Sequence, residues 1–178
     1  MKNKYDFLYS SWLITLLISL LLASCCKEQE LILPEETTIG ANTFGCYVDN
    51  ELFVYTGKGG VFGLENIGAR YDSTLNQLYI YAYTKENDYI GIFDTIMEVG
   101  RKHLIYYAAY IKYNNIYRTS TIYRTQEELQ GEMYLSKFDR ENKIVSGIFM
   151  FTAKDSINNE NKTISNGRFD VKLSPFSY

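Results

Sequence analysis

The sequence predicts an all-β fold, a single antiparallel β-sandwich or flattened barrel that follows a signal peptide and a tether. Three observations carry that expectation. Apolar and polar residues alternate with period two from about residue 42 onward, the mark of half-buried strands. Short clusters of Asp, Asn and Gly interrupt the alternation at hairpin-length intervals. Long helical periodicity is missing, and TQEELQ (125–130) offers one short helical turn at most. The 17 tyrosines point the same way, because tyrosine favours strands. No repeat of blade or solenoid length is present.

Taken in order, TFGCYV (43–48), the pair Asp49-Asn50 and ELFVYT (51–56) read as a hairpin closed by a tight turn. A glycine-rich loop, GKGGVFG (57–63), follows. QLYIYAYT (77–84) and DYIGIFDT (88–95) make a second hairpin around Lys85-Glu86-Asn87. HLIYYAAYIKY (103–113) and NIYRTSTIYRT (115–125) read as two further strands; the second carries IYRT twice, six residues apart, so both copies face one side. GEMYLSKFD (131–139), the turn RENK and IVSGIFMFTA (144–153) form another hairpin. In the last strand, GRFDVKLS (167–174), Phe169, Val171 and Leu173 face one side and Arg168, Asp170 and Lys172 the other.

Ahead of this domain (42–178) the chain has a different character. Lys2 and Lys4 precede an apolar run densest over residues 13–23, a secretory signal layout. A membrane-spanning helix needs roughly 20 apolar residues, and residues 7–24 number 18 with Ser10, Ser11, Thr15 and Ser19 among them. The exit discriminates: Leu22-Ala23-Ser24-Cys25 looks like the bacterial lipobox, with cleavage between Ser24 and Cys25 and lipidation of the Cys25 thiolate, the nucleophile such chemistry requires. A single acyl chain holds weakly and two or more hold firmly, so the membrane is the expected partner of residues 25–41. Their polar, acidic stretch after Cys26 reads as a flexible tether, and residues 27–41 reach about 50 Å at roughly 3.3 Å per residue.

Without residues 1–24 the chain has 154 residues, 16 basic and 20 acidic, net −4. That balance disfavours a nucleic-acid partner. Three cysteines are too few for a disulfide scaffold. A Cys26–Cys46 bridge is conceivable outside the cytosol, but Cys46 lies between Phe44 and Val48 on one strand face and reads better as a small core hydrophobe.

The sharpest candidate site is aromatic. Tyr79, Tyr81 and Tyr83 share one strand face opposite Leu78, Ile80 and Ala82, and Tyr117 and Tyr123 share another with Thr119, Thr121 and Thr125. Exposed rings of this kind stack on sugars or peptide at low entropic cost. The rival reading places them on the rim of a small β core, and the only tryptophan, Trp12, falls in the segment to be removed. The sole histidine, His103, is flanked by Arg101 and Lys102, reads as part of a solvated loop, and has no nucleophile motif near it. No Cys/His spacing suits zinc. The Asp139–Glu141–Asn142 and Asp155–Asn161 clusters read as turns before calcium loops. No catalytic residue, metal or cofactor is implied.

ANTFGCYVDN, KFDRENKIVSGIFMFTA and ISNGRFDVK together resemble a family of small Bacteroidota cell-envelope lipoproteins of unknown function. That resemblance implies an all-β outer-membrane lipoprotein, periplasmic or surface-exposed, with no assigned activity. Lys27-Glu28-Gln29-Glu30 then resembles an imperfect surface-export signal. Asp72-Ser73-Thr74, Asp94-Thr95-Ile96 and Asp155-Ser156-Ile157 look like O-glycosylation sites at Ser73, Thr95 and Ser156. The function expected is a non-enzymatic binding module for a glycan, peptide or partner protein, or else an accessory subunit pairing through strand edges.

Overall fold

A computed structural model describes residues 31–56 and 66–174. The signal segment, Ser24, Cys25, Cys26, Trp12 and the GKGGVFG loop lie outside the described residues. Eleven strands are present: β1 (Thr43–Val48), β2 (Glu51–Val54), β3 (Ile67–Asp72), β4 (Gln77–Tyr83), β5 (Tyr89–Asp94), β6 (Lys102–Leu104), β7 (Tyr107–Asn114), β8 (Thr119–Arg124), β9 (Glu132–Asp139), β10 (Ile144–Lys154) and β11 (Asn161–Lys172). They form one antiparallel sheet in the order β2-β1-β11-β10-β8-β7-β5-β4-β3, with β9 on β10 and β6 on β9.

The sheet curls so that its two halves face each other. β10 passes from one half to the other through the Lys154–Arg124 pair, and β3 meets the end of β11 through an Ala69–Leu173 bridge and the Ser174 N–H to Ala69 carbonyl bond of 2.7 Å. Phe53 of β2 meets Tyr110 of β7 edge-on at 6.5 Å, and Tyr71 of β3 meets Phe138 of β9 at 5.0 Å. These contacts span the interior, so the all-β expectation holds as a flattened barrel. Alternation decides which residues line it. Leu78, Ile80 and Ala82 of β4, Ile90 and Ile92 of β5, and Phe44, Cys46 and Val48 of β1 are all buried.

Turn chemistry follows the sequence closely. Asp49 and Asn50 have φ of 48° and 73°, the paired positive values that a two-residue hairpin turn demands. Asp139 spends its carboxylate on the Asn142 backbone and side-chain amides, and Asp155 on Ile157 and Asn158. Both clusters are therefore turns held by their own Asp.

Several expectations need correction. Residues 67–72, which the alternation does not mark, form β3. Residues 103–113 are two strands, because Ile105 turns into the core while Tyr106 stands 72% exposed; this break sends β6 to β9 and β7 to β5. The first IYRT copy is a turn. Asn114 Oδ1 accepts the N–H groups of Ile116 and Tyr117, and Arg118 takes a positive φ of 52°. TQEELQ makes a turn closed by Leu129 N–H to the Gln126 carbonyl. Cys46 is a fully buried thiol packed in the core, as the strand alternation expects, and burial pushes its pKa well up; the proposed partner Cys26 lies outside the described residues.

The tether reading fails beyond about residue 33. Arg168 Nη1 donates to the Pro34 carbonyl at 3.1 Å and Lys137 Nζ to the Thr38 carbonyl at 3.2 Å. The main clasp is Asp170. Its Oδ2 accepts from Thr37 Oγ1 (2.6 Å), Ile39 N (3.0 Å) and Ala41 N (3.0 Å), and its Oδ1 from Gly40 N (2.9 Å) and Ser146 Oγ (2.6 Å). Gly40 has φ of 75°, a conformation that costs glycine little and lets successive amides converge on one anion. Asp170, placed by alternation on the outward face, is only 1% exposed because this strap covers it.

Candidate functional site

The outer face of β3, β4, β5, β7 and β8 carries an aromatic surface assembled by strand register. Arg70, Tyr79, Phe93 and Tyr107 form one row across the strands. Gly68, Tyr81, Gly91, Ala109 and Arg124 form the next. Tyr83, Tyr89, Ile111 and Ile122 form the third. Inward residues of the same strands, Leu78, Ile80, Ile90, Ile92 and Tyr110, fill the core, which leaves the outward set to face solvent.

Two glycines shape this surface. A Cβ on Gly68 would sit 3.2 Å from the Tyr81 hydroxyl, and one on Gly91 would collide with the Tyr89 ring. The phenols therefore lie down over bare backbone on the neighbouring positions. Tyr79 and Tyr81 stack with centroids 5.6 Å apart and planes 24° from parallel. Tyr83 leans on Tyr89 at 4.7 Å, and the Tyr79 and Tyr89 hydroxyls are hydrogen-bonded to each other. Phe93 packs edge-on against Tyr106 at 5.6 Å. Burial first, then the Tyr83 and Tyr81 hydroxyls nearby, pushes the Tyr79 phenol up to about 12. Burial and Tyr81 raise Tyr83 as well. Both remain neutral hydrogen-bonding groups near neutral pH. Such a floor offers ring faces for stacking and hydroxyls at their edges.

Tyr79, Tyr81 and Tyr83 thus share a face as the alternation predicts. The second tyrosine face does not form. Tyr123 is 4% exposed and stacks on Tyr110 inside the barrel, its hydroxyl bonded to Glu160. Tyr117 stands 74% exposed on the β7–β8 turn. Tyr89, Phe93, Tyr107, Arg70 and Arg124 were missed, although DYIGIFDT carries the signal: Tyr89, Gly91 and Phe93 alternate against Ile90 and Ile92.

His103 also departs from expectation. It lies on β6 with its side chain largely buried, Nε2 3.2 Å from Asp94 Oδ2 and Nδ1 3.4 Å from the Arg101 carbonyl. Both ring nitrogens have partners within the fold. Asp94 Oδ1 accepts from Thr95 and Ile96 N–H, and Asp72 Oδ1 from Thr74 and Leu75 N–H. With Asp155, each Asp of the three Asp-(Ser/Thr) tripeptides serves a turn; Ser73 and Ser156 are exposed there and Thr95 is half-buried. No family model matches the chain, and neither does any curated protein or solved structure with which it was compared.

Proposed function

We propose that this chain is a lipid-anchored envelope protein, acylated at Cys25 and held at an outer membrane of Bacteroidota type, whose β domain is a non-enzymatic binding module. The aromatic outer face of β4, β5 and β7 is its binding surface for a glycan, peptide or partner protein. One observation carries the reading: strand register gathers Tyr79, Tyr81, Tyr83, Tyr89, Phe93 and Tyr107 on one solvent-facing surface, apart from the core. Rings spent on stability alone would be expected inside, as Phe44, Phe149 and Phe169 are. The His103 geometry supports the non-enzymatic part, since neither ring nitrogen is left to activate a nucleophile.

Tyr81→Ala is expected to abolish retention of the native ligand or partner on the immobilised mature protein while the thermal midpoint moves by a few degrees at most. A parallel loss of folding would reject the face as a binding surface. Lipidation has its own measurement. Intact mass of protein from its native host should show residues 1–24 gone and acyl mass on Cys25; a methionine start with an unmodified thiol would refute the anchor.

The accessory-subunit reading draws on open strand edges. Among the described residues β2 pairs only with β1, and β6 only with β9. Strands of four and three residues give a partner little ladder to extend; the six-residue β8, which among the described residues meets β10 only through Arg124, offers the longer edge.

A further inference from the structure

We infer that the ligand of the aromatic face is an anionic polysaccharide, laid across the strands from β3 to β8. The inference deepens the binding reading above and rests on it. The charges at the two margins carry it. Arg70 on β3 and Arg124 on β8 bracket the rings in adjacent rows, four strand spacings apart, or about 19 Å at roughly 4.8 Å per spacing. The Arg70 guanidinium lies 5.9 Å from the Tyr81 ring centroid. Neither arginine makes an ion pair among the described residues, and both are exposed.

The same five strands contain two carboxylates, and neither forms an ion pair with these cations. Asp94 is 1% exposed and faces inward. Asp72 accepts the Thr74 and Leu75 N–H groups of its turn through Oδ1. The third basic residue of these strands, Lys112, is paired with Asp88 at 2.8 Å. A chain of net charge −3 thus keeps one face that is aromatic in the middle and carries at each margin an arginine that forms no ion pair among the described residues. Flat phenols suit the apolar faces of pyranose rings, and their hydroxyls suit sugar hydroxyls. The planar fork of each arginine suits a carboxylate or sulfate at the margin. An extended, hydroxyl-rich, acidic chain meets all three features.

The test is affinity electrophoresis of the full mature chain in native gels containing polygalacturonate, dextran sulfate, neutral dextran or a single-stranded oligonucleotide. Retardation by polygalacturonate or dextran sulfate is expected, and not by dextran. The Arg70→Gln/Arg124→Gln variant should bind the polyanion at least tenfold more weakly with an unchanged thermal midpoint, and Tyr81→Ala should lose retardation. Unchanged polyanion binding in the arginine variant would overturn the inference by placing the contact elsewhere. Equal retardation by dextran, insensitive to the arginines, would overturn the anionic assignment and leave the binding face standing. Oligonucleotide binding in preference to the glycans would also overturn it. So would no retardation by any polymer, and Tyr81→Ala retention of the native ligand then judges the binding reading separately.

Discussion

Asp170→Asn is expected to lower stability by about 3 kcal/mol or more and to release residues 34–41 from the barrel. The reason is directional. Five donors converge on the carboxylate, and a bond to a charged group contributes about 1.5–3 kcal/mol net of its exchange with water, though bonds sharing one acceptor do not add in full. An amide has the carboxylate's shape but only one accepting oxygen, and its NH2 group would point at donors. Asn should therefore cost nearly as much as Ala; a near-neutral Asn variant would mean that shape and not charge holds the strap. Urea unfolding gives the stability, and limited proteolysis around residues 31–41 reports the release.

The same carboxylate predicts a pH dependence. Burial works to raise the Asp170 pKa, but the bonds from Ser146, Thr37, Ala41 and Gly40 outweigh it and hold the group below the ordinary carboxylate range. Its contribution is then fully present above about pH 4, where an unfolded Asp is ionised, and is lost as pH falls through the lower folded value. Stability of the native protein should drop through that acid window, and part of the drop should vanish in Asp170→Asn.

The second large effect is expected in the core. Phe149 is 3% exposed and touches Phe44 at 5.2 Å and both Phe151 and Phe169 at 6.2 Å between centroids. It joins β1, β10 and β11 where the sheet is longest. Phe149→Ala should cost about 3–5 kcal/mol, since a cavity walled by three other rings collapses poorly. Equilibrium unfolding would show a lower denaturant midpoint at unchanged slope. Tyr81→Ala, on the outer face, should cost far less, and comparable losses would contradict the division between core rings and surface rings.

Period-two alternation was enough to read most of this fold. It placed the β1–β2, β4–β5 and β9–β10 hairpins, the inward set Leu78, Ile80 and Ala82, and the buried thiol of Cys46. It failed where local chemistry competes with it. Ile105-Tyr106 keeps the composition of a strand while the chain bends, and Asn114 captures two amides that a continuing strand would need. Alternation misplaces Tyr123 because Tyr117, six residues before it, lies in a turn and not on the same strand. The strap was illegible for another reason: its partner, Asp170, lies about 130 residues away, and only long-range pairing brings them together. The aromatic face falls between these cases. One strand of it could be read directly, but the rows that join Tyr79 to Phe93 and Arg124 to Ala109 exist only in the sheet register.

The clasp on Asp170 also sets how the domain meets mechanical tension. A pull on the chain ahead of Pro34 first stretches the Arg168 contact and then the four bonds from Thr37, Ile39, Gly40 and Ala41 to one carboxylate, all before force reaches Thr43 and the ladder behind it. Those donors lie within five residues of chain and end on one side chain, so the strap takes up load ahead of the first strand, and loss of the Asp170 carboxylate would pass that load directly to Thr43.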